Sequence, residues 1–288
     1  MHDFIIFADT GCDILPDKLR EWDVKCIDLT FRREGESREY TQADIPTKQF
    51  YDNMRAGAVY RTAAANSDTI RKAFTPCLRE GRDVLYLAFG SGLSSTANTA
   101  KLVGEELKAE FPARSIIVID SLCASAGYGL LLWTAVKARR EGASIEETAA
   151  AVMKDLPGLC HWFTVDDLVY LKRGGRVSAA TAFFGGVLNI KPVLHVDDVG
   201  HLIPMFKVRG RGASIKAIAK KFSETAVDPS HCTYFISHGD CPEDAKKLEQ
   251  LIIMEHANKA ALITDIGPVI GAHSGPGTLA LFFVGTQR

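Results

Sequence analysis

The sequence predicts an α/β protein of two α/β domains, the first with a mainly parallel sheet and the second mixed, with a ligand site between or beside them. Three observations predict it. Up to about residue 155, short and almost wholly apolar runs alternate with segments whose apolar residues recur at helical spacing. That is the pattern of strands covered on both faces by crossover helices. Near Leu156-Pro157-Gly158-Leu159 the character changes, and two apolar runs follow, joined through Asp197-Asp198-Val199-Gly200, a composition suited to a hairpin. Close to the end, Ile266-Gly-Pro-Val-Ile-Gly-Ala-His273-Ser-Gly-Pro-Gly277 interrupts the strand pattern with Gly and Pro around one imidazole. The division gives domains 1–155 and 156–288.

Residues 4–8 form the first predicted strand, and 83–89 and 115–119 follow as buried strands. Ile70, Ala73, Phe74, Cys77 and Leu78 make a helical stripe in which Pro76 predicts a kink or an early end. Thr96, Ala100, Val103 and Leu107 make a second stripe, and 130–139 belongs to a third helix. In the second half the reading is strands 189–196 and 201–208, helix 214–225, strand 231–236, helix 243–256 and strand 260–264. The segment 266–277 then reads as a structured turn before a last strand over 278–284. Its glycines permit close backbone approach and its prolines remove freedom, so it points to a loop built to hold His273; a rigid turn with an incidental His is the competing reading.

Composition narrows the function. The 288 residues are 47% hydrophobic and 24% charged with a formal net charge of -1, an ordinary globular chain without general attraction to nucleic acid. The longest uncharged apolar stretch, 123–136, falls short of the ~20 residues of a membrane-spanning helix, and no basic leader precedes the first strand. Seven scattered cysteines without a Cys-x-x-Cys pair argue against a disulfide framework or zinc site and for a reducing cytoplasm. The phosphate-cradling loop, the dinucleotide fingerprint, the Gly-x-Ser-x-Gly elbow and His-Glu-x-x-His are all missing. No metal or cofactor is expected, and a binding protein is favoured.

Three loops at the carboxyl ends of predicted strands carry small hydroxyl residues: Asp9-Thr-Gly-Cys-Asp13, Phe89-Gly-Ser91-Gly-Leu-Ser94-Ser-Thr96, and Asp120-Ser121-Leu-Cys-Ala-Ser125. Ligands of open α/β sheets bind at those ends, and helix N-termini favour negative groups there. Helix capping is the competing account of each hydroxyl. Leu171-Lys-Arg-Gly-Gly-Arg-Val177 gathers three cations around a Gly pair, either a solvated basic turn or an anion clamp through Arg173 and Arg176.

These residues carry a resemblance. With Asp9-Thr10 and Asp13, Tyr60-Arg-Thr62, Ser91-Gly-Leu-Ser-Ser-Thr96, Ile119-Asp-Ser121, Tyr170-Leu-Lys-Arg-Gly-Gly-Arg-Val-Ser178, Leu188-Asn-Ile-Lys-Pro-Val-Leu194, His238-Gly-Asp240 and Gly267-Pro-Val-Ile-Gly-Ala-His-Ser-Gly-Pro-Gly277, the chain resembles the DegV family end to end. Those proteins bind fatty acids and serve as acyl-binding subunits of bacterial fatty acid kinases. The resemblance implies that Thr62 and Ser91 hold a fatty acid carboxylate with His273 beside it. It also implies that the arginines of the basic turn face a kinase catalytic subunit. Ser94 and Ser121 complete the candidate ligand set. The chain departs from the family where Ala63-Ala64-Ala65-Asn66 replaces Ser-Gln-Pro-Ser, and where Gly90-Ser91 replaces two serines.

The chemistry suits such a ligand. A fatty acid carboxylate is an anion at neutral pH, with a pKa near ~4.3, and needs hydrogen bonds when buried. At ~0.8 kcal/mol per buried CH₂, a ~16-carbon tail gains roughly 11 kcal/mol before association costs. The Phe-containing segment 179–188 is a candidate tunnel lining. A protonated His273, with an ordinary pKa of ~6.5, would tighten carboxylate binding between pH 8 and 6. The alternative from another class is a serine-dependent acyl hydrolase using Ser91 or Ser94 with His273. A transcription regulator fits less well, since the charge is near neutral and no helix-turn-helix is apparent.

Overall fold

A computed structural model describes residues 4–177 and 189–288. The candidate tunnel segment 179–188 lies outside them. Among the described residues, strands and helices follow as β1 (Phe4–Asp9), α1 (Pro16–Glu21), β2 (Val24–Ile27), β3 (Thr30–Arg33), α2 (Thr47–Arg55), β4 (Tyr60–Ala63), α3 (Ser67–Arg79), β5 (Asp83–Ala88), α4 (Thr96–Glu110), β6 (Ile116–Asp120) and α5 (Ser125–Arg140). They continue as α6 (Ile145–Asp155), β7 (Leu159–Thr164), α7 (Val169–Gly174), β8 (Ile190–Val196), β9 (Leu202–Arg209), α8 (Arg211–Thr225), β10 (Tyr234–His238), α9 (Pro242–His256), β11 (Leu262–Asp265), α10 (Pro268–Ser274) and β12 (Leu279–Val284).

The first sheet is parallel, in the order β2-β1-β5-β6. All six residues of β1 are buried, as a central strand with helices on both faces requires. The second sheet has the order β11-β10-β12-β7-β8-β9; β10 and β11 run parallel and the other neighbours antiparallel. The β8–β9 hairpin forms where the turn chemistry predicts it. Asp197 accepts from the Val199 and His201 amides at 3.1 and 2.7 Å, and Gly200 takes φ +86°. A separate two-stranded ribbon pairs β3 with β4 and sets Thr62 opposite Phe31.

Helix α5 joins the two sheets. Its run from Ser125 to Leu132 is buried on every side because it packs against β1 of one sheet and β7, β10 and β12 of the other, the position that an all-round apolar helix demands. Gly127 and Gly129 let this helix approach its neighbours closely. A Cβ at Gly127 would fall 2.5 Å from His161 Nε2, and one at Gly129 2.5 Å from Ile14 Cδ1. One apolar cluster runs continuously from β1 and β5 through α5 to Phe163, Leu194 and Phe282.

Two sequence expectations change. Helix α3 passes through Pro76 to Arg79, so the proline does not shorten it; burial of Ile70, Phe74, Cys77 and Leu78 against the sheet outweighs the one lost backbone bond. The segment read as a structured turn contains helix α10. Pro268 occupies its first turn and Gly275, at φ +82°, follows its end, so Pro opens the helix and Gly closes it. His273 therefore sits on a helix.

Candidate functional site

A cavity of about 270 Å³ opens between the carboxyl ends of the first sheet and one face of the second, near the lower end of the ~300–1,000 Å³ usual for small-molecule pockets. The loop after β5 contributes Phe89, Leu93, Ser94 and Ser95, and the start of α5 adds Ala124 and Ser125. Register places Phe282 beside His161, Ala280 beside Phe163 and Leu202 beside Val196, and all six line the cavity. The strand face is thus mostly apolar, interrupted by the His161 imidazole.

The polar groups gather at one end. Thr62 Oγ1 lies 2.8 Å from His273 Nε2. Arg176 donates from Nε to the Leu93 carbonyl at 3.2 Å and from a terminal nitrogen to the Gly174 carbonyl at 2.5 Å. Ser94 Oγ is 2.9 Å from Thr96 Oγ1, and the Thr96 hydroxyl in turn accepts from the Ala65 amide at 3.2 Å. Thr62, His273 and Arg176 also line a second, smaller cleft of about 60 Å³ with Arg61, Arg173 and Gly174. These three residues are the wall between an apolar interior and an arginine-lined exterior.

The site is held from beneath by buried carboxyls. Asp9 accepts from the Phe89 amide at 2.9 Å, the Gly11 amide at 3.0 Å and the Tyr86 hydroxyl at 2.8 Å, which fixes the start of the loop carrying Ser94. Burial pushes its pKa up to about 6 despite those donors. His273 moves the other way: desolvation, with Arg176 and Arg61 adding repulsion, pushes it down to about 4. The ring of the free protein is therefore neutral between pH 6 and 8, and the expected tightening of binding over that range loses its basis. As a neutral group His273 shares a hydrogen bond with Thr62, and its buried Nδ1 has no hydrogen-bond partner among the described residues.

Of the residues singled out in the sequence, Thr62, Ser94, His273 and Arg176 meet at one place. Ser91 and Ser121 do not line the cavity. The Ser91 amide donates to Asp120 at 3.0 Å, while Ser121 is buried and its hydroxyl accepts from the Cys123 amide at 3.2 Å, a local turn of the kind serine favours. Arg173 is exposed on the outer cleft. Arg61, which sequence reasoning left without a role, borders that cleft and reaches the Arg173 carbonyl at 3.4 Å and Glu34 at 3.4 Å; its place beside Thr62 in Tyr60-Arg-Thr62 was the available signal. Ser125, part of the third hydroxyl loop but outside the candidate ligand set, lines the cavity. The hydrolase alternative gains no support, because Thr62 and not a serine is bonded to His273. Among the described residues no group of three or more His, Cys, Asp or Glu could hold a metal, and no helix is long and apolar enough to cross a membrane.

Known proteins share this architecture. A DegV domain-containing protein of Clostridium perfringens is 38% identical over 100% of this chain and 99% of its own length. A crystal structure of a DegV lipid-binding protein from Thermotoga maritima is 28% identical with a TM-score of 0.86, covering 100% of both chains. A structure reported for fatty acid binding of a DegV family protein from Thermus thermophilus is 26% identical with a TM-score of 0.89, covering 99% of this chain and 100% of that one. The family model described as "Uncharacterised protein, DegV family" matches residues 3–286, and the chain belongs to the DegV family.

Proposed function

We propose that this protein binds a long-chain fatty acid in the cavity and presents its carboxylate to a separate ATP-dependent fatty acid kinase, which forms the acyl phosphate. The observation that carries the reading is the shared wall: Thr62, His273 and Arg176 border both the apolar cavity and the arginine-lined cleft. A carboxylate at that wall would receive the Thr62 hydroxyl proton, with the neutral His273 Nε2–H donating to Thr62 Oγ1 and orienting it, while remaining reachable from the other side. The tail would lie along Phe163, Ala280 and Phe282. The fatty acid bound by the similar Thermus thermophilus protein supports the ligand class. Because the chain carries no ATP-binding loop motif, phosphoryl transfer is assigned to the partner. Native mass spectrometry of protein purified from cells tests the first half: a co-purifying long-chain acid is expected, and an empty protein that hydrolyses esters would contradict it.

Removing one neutral donor from a charged acceptor costs about 1.5–3 kcal/mol. Thr62→Val is therefore expected to weaken palmitate binding about tenfold or more with little change in melting temperature. Ser91→Ala, outside the cavity, is expected to bind as the wild type does. Equal affinity of Thr62→Val and wild type, by titration calorimetry, would displace the head group from this wall.

On the outer side, Arg173→Ala and Arg176→Ala are expected to retain palmitate while slowing acyl phosphate formation by the kinase. Arg176 contributes backbone hydrogen bonds as well, so Arg173→Ala is the cleaner variant. Turnover at the wild-type rate in both would reduce the cluster to a solvated turn.

A further inference from the structure

We propose that Asp13, which is outside the cavity, is the positioning residue of His273, acting as a cap supplied by the first sheet to the helix that carries the imidazole. The inference rests on the function proposed above for what His273 is positioned to do, although the positioning itself is a property of the ligand-free protein. Helix α10 has no capping side chain of its own. Its leading amide, Gly267 N–H, donates instead to Asp13 Oδ1 at 2.9 Å across 254 residues of chain. The Thr264 hydroxyl, in β11 just before α10, donates to the Asp13 carbonyl at 3.0 Å. Asp13 Oδ2 accepts from the Ser125 hydroxyl at 2.5 Å, and Ser125 is 2.9 Å from Ser237 in β10. One carboxyl thus ties the end of β1, the cavity-lining start of α5, the second sheet and the start of α10.

Three features indicate that this junction is specified for placement. Asp13 and Ser125 both hold left-handed backbone, φ +51° and +55°, which non-glycine residues adopt where the surroundings impose it. Space around α10 is closed on several sides: a Cβ at Gly267 would come 3.0 Å from Asp13 Oδ1, one at Gly271 2.6 Å from the Tyr51 hydroxyl, and one at Gly174 would overlap His273 Nδ1. Tyr51 also donates to the Ile266 carbonyl at 2.8 Å, so Tyr51 and Asp13 fix the residues just before the helix from two directions. Asp13 itself is buried, and the ionisable groups acting on it, Asp265 and Asp9, are acids that push its pKa further up. With a pKa raised to about 8, the carboxyl is mostly protonated at neutral pH. Protonation reverses the bond with Ser125, so that Oδ2 donates to that hydroxyl and Ser125 in turn donates to Ser237, while Oδ1 keeps accepting from Gly267. Asparagine reproduces that donor and acceptor pattern and alanine does not.

The test follows the His273 ring by NMR titration in ligand-free wild type, Asp13→Asn and Asp13→Ala, with palmitate affinity measured separately. The groups facing the ring are Thr62, Gly174, Arg176 and Arg61, and none is altered by these variants. The ring should titrate near its buried value in wild type and Asp13→Asn, and at least one pH unit closer to 6.5 in Asp13→Ala, where a loosened α10 admits water. Palmitate should bind at least fivefold more weakly to Asp13→Ala and within twofold of wild type to Asp13→Asn. An unshifted ring in Asp13→Ala, or an asparagine variant as disturbed as the alanine one, overturns the assignment. If Asp13→Ala does not fold, Gly267→Ala supplies the same displacement with Asp13 intact and should shift the ring likewise; an unshifted ring there overturns it. A wild type that ignores palmitate sinks the proposed ligand, and the ring titration still decides the positioning role.

Discussion

Stability is expected to be highest near neutral pH and to fall on either side, more steeply on the acid side. The acid arm comes from histidines buried neutral. His195 and His273 are pushed down to about 4, and His161 lies well below its ordinary value, each chiefly by desolvation. A depressed pKa means that the unfolded chain takes up protons the folded one refuses, so stability present above pH ~6.5 is lost as the pH falls. Asp13 and Asp9 act with opposite sign. Their pKa values are raised to about 8 and about 6, so the folded state keeps protons the unfolded chain has released, and stability is lost as pH rises through those values. Below pH 6 the depressed histidines, His238 among them, outnumber the two raised acids, so the acid side is the steeper. Above pH ~7.5, where the unfolded histidines have released their protons, Asp13 acts almost alone. Urea unfolding at pH 4.5, 6.5 and 8.5 measures the profile. Asp13→Asn should flatten the alkaline arm and His195→Phe should shrink the acid arm; a flat wild-type profile would contradict both assignments.

Gly174→Val is expected to lower palmitate affinity by about ten- to a hundredfold while leaving the rest of the fold intact. The residue sits at the end of α7 with an ordinary backbone conformation, so the effect is steric. Any Cβ there would occupy the space of His273 Nδ1, and overpacking of this kind costs about 1–3 kcal/mol. Relief requires moving the imidazole off Thr62 or moving α7 off α10, and either opens the wall between cavity and cleft. Gly212→Ala, with nothing within 4 Å of its added carbon, is the control. Wild-type affinity in Gly174→Val would show that the Gly pair of the basic turn serves only the turn.

The sequence alone determined the alternating first half, the hairpin at Asp197–Gly200 and the family, because each rests on local chemistry: apolar periodicity, turn residues, and a run of motif residues too long to arise from composition. It also singled out Thr62, Ser94, His273 and Arg176, which come together although Thr62 and His273 are 211 residues apart. It misjudged the conformation of 266–277, since Gly and Pro mark turns and helix ends alike, and only Pro268 and Gly275 at opposite ends of α10 separate the two. Only the tertiary structure decided which hydroxyls face the cavity. Ser91 and Ser121 share a loop chemistry with Ser94, and their difference lies in where the backbone turns around Asp120 and Asp9. The same holds for ionisation. Asp13 and His273 have unremarkable model-peptide values, and both are moved far from them by burial between two sheets. No spacing in the chain encodes that quantity, because it depends on how much water distant segments exclude when they pack.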